Sequence, residues 1–129
     1  MDILNFLPPN RQVLCIAGNL PGRNEAEKAA RTHWSYAARL KKDNTELVYW
    51  ECVAQQIKPV KGVATIAVAF YEKDLKRDAD NVLGGLKYIL DGLVLAKVIP
   101  NDCRKRIKLF VLPVGLDRDN PRVEVYICE

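Results

Sequence analysis

The chain contains one histidine, His33, and its four cysteines, Cys15, Cys52, Cys103 and Cys128, are scattered without a Cys-x-x-Cys pair. Zinc sites draw on closely spaced Cys and His ligands, so this scarcity argues against one and favours reduced, buried thiols. A solitary imidazole also supports neither a catalytic triad nor a histidine base. No apolar run approaches the ~18 residues needed to span a bilayer. Pro8-Pro9-Asn10-Arg11 stands before the first apolar run, an order that does not fit a secretory signal. A cytoplasmic protein of a bacterial or phage-infected cell, without a membrane partner, is the expectation. There is no internal repeat, low-complexity segment or linker.

What is present is a 129-residue chain, 49% apolar and 28% charged, which suits one domain over residues 1–129 with one modest core. Its 20 Lys and Arg against 16 Asp and Glu give a formal charge of +4. That balance favours an anionic partner such as nucleic acid without requiring one.

Val13 to Ala17 reads as a strand closed by the turn-rich Gly18-Asn19-Leu20-Pro21-Gly22. Asn24 and Glu27 have capping-box spacing, and Ala26, Ala30, Trp34, Ala37 and Leu40 follow at helical intervals. Lys41-Lys42 suit the end of that helix, and Asp43-Asn44-Thr45 is a candidate break. A second run carries Leu47, Trp50, Ala54 and Ile57 on one face until Pro59, so one bent helix and two consecutive helices both fit. Val63 to Tyr71 alternates with both sides largely apolar, which predicts a central strand covered on two sides. A helix is predicted from about Asn81 to Lys97, with Val82, Leu86, Ile89, Leu90 and Leu93 inward and Pro100 ending it. Ile107 to Leu112 and Val123 to Ile127 are two further strands. The sum is an α+β domain with one mixed or antiparallel sheet of about four strands packed against helices.

The chemistry concentrates in Arg77-Asp78-Ala79-Asp80-Asn81. On extended backbone, residues two apart point to one side, so Asp78 and Asp80 would present two carboxylates to one point. Hard divalent cations take such oxygen ligands. The alternative is that Asp80 or Asn81 caps the helix that follows. A second Asp-x-Asp, Asp117-Arg118-Asp119, lies between Gly115 and Asn120-Pro121 and reads as a turn. At 100° per residue Asp80, Gly84, Lys87 and Asp91 form one stripe. Lys87 would then point toward the aspartates, or simply pair with Asp91 on the surface. Gly84 would admit a phosphate backbone, or serve packing against the sheet. Asn101-Asp102 sits just beyond Pro100.

These residues resemble the RusA family of phage and prophage Holliday-junction resolvases. The likeness rests on Arg77-Asp78-Ala79-Asp80-Asn81, on Lys87-Tyr88-Ile89-Leu90-Asp91-Gly92-Leu93 and on Ile99-Pro100-Asn101-Asp102, with Gly18 to Glu25 similar to that family's Pro-containing loop. The stretch between Asn81 and Lys87 is longer than in the shortest members, and Asn101 stands where Asp is common. The resemblance implies a RusA-like domain acting as a homodimeric, Mg2+-dependent endonuclease, with Mn2+ as a substitute, that nicks a four-way DNA junction symmetrically. It implies Asp78, Asp80 and Asp102 as metal-binding catalytic carboxylates and Lys87 as the catalytic lysine. The expected reaction is in-line attack of a metal-activated water on a phosphodiester. Basic residues flank the acidic ones: Lys73, Lys76 and Arg77 on one side, Arg104, Lys105, Arg106 and Lys108 on the other. These are expected to hold the DNA backbone, with steep salt dependence. Two rivals stand beside this reading: a nuclease for other branched phage DNA, and a catalytically silent DNA-binding protein.

Overall fold

The first apolar run becomes β1, Gln12–Ala17, and the last becomes β5, Arg122–Cys128, paired antiparallel with it. The two-sided apolar run becomes β2, Ala64–Glu72, which pairs antiparallel with β5 and parallel with β3, Ile107–Val111. The computed structural model describes residues 3–129, and within them the chain is a single α+β domain with a mixed sheet ordered β1-β5-β2-β3. A fifth strand, β4 (Gly115–Leu116), continues beside β2 beyond β3. Two residues are too few to show alternation, so the sequence reading has no counterpart for it.

Alternation along β2 separates two environments. Ile66, Val68 and Phe70 join Leu14, Ile16, Val123, Val125 and Ile127 in the main core beneath the helices. Ala67, Ala69 and Tyr126 form a smaller cluster on the opposite face, under Leu4 of an N-terminal 3₁₀ segment (Ile3–Phe6) and the adjoining Leu7. The central strand is thus buried on both sides, as its two apolar faces predict.

The helices depart from the sequence reading in instructive ways. The first, α1 (Arg23–Thr32), is preceded by Gly22, whose N–H donates to Glu25 Oε2 at 3.0 Å; the Asn24–Glu27 spacing is not the cap. The break falls at extended His33, whose Nδ1 accepts the Ser35 N–H at 3.1 Å and caps α2, Trp34–Ala54. That helix runs through Asp43-Asn44-Thr45 because Asn44 turns its amide back to the Leu40 carbonyl at 2.8 Å. Its buried residues are Val48 and Cys52, whereas Leu47 and Trp50 are exposed. The phase follows from close packing: a Cβ on Gly92 of the facing helix would overlap the Val48 side chain.

The predicted helix after Asn81 is divided into α3 (Ala79–Val82), a 3₁₀ turn (Leu83–Gly85) and α4 (Leu86–Leu95). It stops before Pro100, at Lys97, which adopts φ 61°. There the Val98 N–H reaches the Leu93 carbonyl at 2.9 Å and the Lys97 N–H reaches the Val94 carbonyl at 3.0 Å, a left-handed closure that satisfies the last carbonyls. No helix among the described residues is long and apolar enough to cross a membrane.

Candidate active site

β2 ends on Glu72, whose carboxylate is nearly removed from water at 8% side-chain exposure. A buried carboxylate needs a charged, hydrogen-bonding partner, and Arg77 supplies it in a fork, Nε to Oε1 at 2.7 Å and Nη2 to Oε2 at 3.0 Å. The remaining nitrogen of Arg77, Nη1, donates to the Leu20 carbonyl at 3.1 Å and to Glu25 Oε1 at 3.2 Å. Hydrogen bonding to Glu72, more than any other influence, holds the guanidinium above its ordinary pKa. Arg77 therefore ties the 73–76 loop to α1, with all three guanidinium nitrogens engaged within the fold. Lys73 and Lys76 stay on the surface of that loop.

Asn81 is buried, and its Oδ1 accepts the Asn24 N–H at 2.9 Å. It therefore caps α1 from across the chain, satisfying an N–H left over in that helix's first turn. Gly22 and Gly84 make this approach possible: a Cβ on the first would overlap Asn81, and one on the second would overlap the Arg23 backbone. Gly84 is accordingly a packing glycine, and what it accommodates is α1 rather than a phosphate or the sheet.

With Arg77 and Asn81 so committed, the two aspartates between them are not. Asp78 occupies the position before α3 without using its side chain as a cap. Asp78 and Asp80 are exposed, and neither carboxylate has a hydrogen-bond or ionic partner among the described residues. The capping alternative for Asp80 and Asn81 at α3 does not hold. The extended-backbone argument needs correction too, because the helix already begins at Ala79: Asp78 is the residue before it and Asp80 lies in its first turn, so the two do not line one side of a strand. Exposed, uncommitted carboxylates are hard oxygen donors that fit Mg2+, which commonly takes one or two of them and keeps several waters.

Lys87 lies on the surface of α4 with its Nζ 3.3 Å from Asp91 Oδ1. Asp91 in turn borders a shallow depression with Thr45, Val94, Leu95, Asn101 and Asp102. The structure thus groups Asp102 with Asp91 and not with Asp78 and Asp80. The topology explains why. Asp102 precedes β3, which starts beside the start of β2 (Ile107 opposite Ala64, with the Ala64 N–H donating to the Arg106 carbonyl at 2.9 Å). Asp78 and Asp80 follow the opposite end of β2, a 9-residue strand about 26 Å long at about 3.3 Å per residue. Among the described residues no three His, Cys, Asp or Glu side chains gather as a metal site.

Asn101 holds the turn after Asp102, its Oδ1 accepting the Cys103 N–H at 3.1 Å. Arg104, Lys105, Arg106 and Lys108 are all exposed, and none of their side chains has a partner among the described residues. The second Asp-x-Asp is the turn it was read to be: Asp117 accepts the Asn120 N–H at 3.1 Å and pairs with Arg122 at 2.7 Å. Sequence reasoning missed the Glu72–Arg77–Glu25 network. Its only signal was a glutamate closing an otherwise apolar strand, a position that demands a cation nearby. No protein-family model matches the chain, and no curated protein matches it.

Proposed function

We propose that the protein is a homodimeric, Mg2+-dependent endonuclease for branched DNA, with four-way junctions as its substrate. The observation that carries this reading is the contrast inside one short segment: Glu72 and Arg77 are locked together, while Asp78 and Asp80 are exposed and unpartnered. Nothing in the packing of the described residues requires those two carboxylates. A bound Mg2+, with Mn2+ as a substitute, would supply charge neutralisation and an acidified water at the phosphodiester.

Each residue's contribution follows from its position. Asp78 and Asp80 hold the metal. Among the described residues Lys87 is restrained only by its i, i+4 surface pair, worth about 0.3–0.5 kcal/mol, so its ammonium can exchange from Asp91 to a phosphate oxygen. Lys76 on one side and Arg104, Lys105 and Arg106 on the other neutralise phosphates. Asp102 stands too far from Asp78 and Asp80 to join them in one chain, so in this reading it reaches the site of the other protomer. Two sites related by a two-fold axis match the symmetry of a four-way junction.

The test is cleavage of a labelled four-way junction, beside forked and linear duplexes, with and without Mg2+. Paired symmetric nicks on the junction that require Mg2+ and vanish in Asp80→Asn, with junction binding retained, are expected. Nicking confined to forks would move the substrate to other branched DNA. The remoteness of Asp102 favours a second reading, a DNA-binding protein without catalysis, which predicts salt-sensitive junction binding and no cleavage under either metal.

A further inference from the structure

The two edges of the sheet are finished differently. At the β1 edge, Gln55 plugs Cys15 like a short extra strand, its Oε1 accepting the Cys15 N–H at 2.9 Å and its Nε2 donating to the Cys15 carbonyl at 2.7 Å. Gln12 reaches out in the same way to the Lys58 N–H at 2.7 Å and the Lys58 carbonyl at 2.9 Å. Among the described residues the β3 edge has no such cover. Apart from the ladder to β2, no described residue bonds the backbone of residues 108–111, and Leu109 and Phe110 are 39% and 48% exposed. Proteins normally blunt such an edge, because it is a template for another strand. Beside it, on the sheet face away from the helices, lies a groove of about 650 Å³ lined by Phe6, Leu7, Ala67, Lys108, Phe110 and Leu112.

We infer that β3 pairs antiparallel with β3 of a second copy, about a two-fold axis through Leu109, joining two sheets into one. This names the surface of the homodimer proposed above and rests on that part of the reading. The strand is self-complementary in this register. Leu109 opposes the partner's Leu109, Ile107 opposes the partner's Val111, and Lys108 opposes the partner's Phe110, placing an ammonium against an aromatic ring on the grooved face. The charges also fit: the basic turn at Arg104–Arg106 faces the neutral Leu112-Pro113-Val114 of the partner rather than another basic turn. Pro113, lacking an N–H, ends the pairing. Lys108 is thereby withdrawn from the DNA-facing set. The same register carries Asp102 toward the end of the partner's sheet from which Asp78 and Asp80 follow.

The experiment is the mass of the full chain in solution, by sedimentation and native mass spectrometry, without DNA. A dimer is expected. Phe110→Lys sets two pairs of like charges face to face and should weaken it on the order of 10- to 100-fold. Adding Lys108→Glu turns those contacts into ion pairs and should restore the dimer, which also shows that the variant folds. In a Cys15→Ser, Cys103→Ser background, Leu109→Cys should oxidise to a covalent dimer and Phe110→Cys should not, because only residue 109 meets itself. A monomer at every concentration overturns the inference. So does a dimer indifferent to Phe110→Lys in which Leu109→Cys fails to cross-link. Because mass is read apart from cleavage, a nuclease with a different dimer surface, and a β3 dimer that cuts nothing, give separate results.

Discussion

Between the end of β2 and the first turn of α3, neighbouring charged side chains are used in opposite ways. Glu72 and Arg77 are withdrawn from water and joined by a two-bond fork, while Asp78 and Asp80, immediately following, are in solvent with no partner among the described residues. Charge alone does not distinguish them. Burial does: a carboxylate at the end of a buried strand must be paired, and the arginine that pairs it is engaged within the fold. The carboxylates of Asp78 and Asp80 have no such role in the packing of the described residues.

This contrast is open to direct attack by mutation. Arg77→Ala strands Glu72 and should cost about 3 kcal/mol of stability, read as a lower denaturation midpoint. A loss below about 0.5 kcal/mol, the scale of a surface change, would mean the pair is not structural. Gly84→Ala drives a methyl into the Arg23 backbone, which cannot step aside as a flexible side chain would. A loss of about 1–3 kcal/mol is expected, where an open phosphate-binding surface would tolerate the alanine. Asn81→Ala removes the cap on α1 and should cost about 1 kcal/mol; faster amide exchange of Asn24 would locate the damage. Asp80→Asn should shift stability by less than about 0.5 kcal/mol, with its consequence confined to metal and DNA.

Thiol chemistry offers the smallest version of the same contrast. Cys15 and Cys103 are exposed, while burial pushes the Cys52 thiol up to about 11 and also holds Cys128 above its ordinary value. In the native protein a thiol reagent at neutral pH should label Cys15 and Cys103 quickly and leave Cys52 and Cys128 until unfolding.

How far the sequence reveals the fold depends on how local the deciding interaction is. The four longer strands were legible because short apolar runs bounded by turn residues, and in β2 alternation, are local patterns; so was the turn at Asp117, where the side-chain bonds span only a few residues. The break at His33 was hidden, since Asp43-Asn44-Thr45 has turn-like composition but Asn44 serves the helix. The buried face of α2 was hidden as well, because glycine at position 92, on another helix, decides that Val48 and not Trp50 faces inward. For the candidate site, the Asp78–Asp80 pair stood out as a motif. Its separation from Asp102 did not, because that depends on β3 running parallel to β2 and so starting at the opposite end. The structural engagement of Arg77 is hidden for a similar reason: nothing next to it in sequence shows that Glu25, Leu20 and Glu72 converge on it.

The central claim is that uncommitted carboxylates at the two ends of the sheet act together only across a dimer. The most direct measurement mixes two inactive proteins, Asp80→Asn and Asp102→Asn, after denaturing and refolding them together, and assays a labelled four-way junction with Mg2+. In a shared site the mixed dimer has one site with both aspartates intact, so Mg2+-dependent nicking should return, on one strand per junction. If each single variant is dead and the mixture is equally dead while mixed dimers are present, the aspartates do not act across the two protomers. The account would then be contradicted.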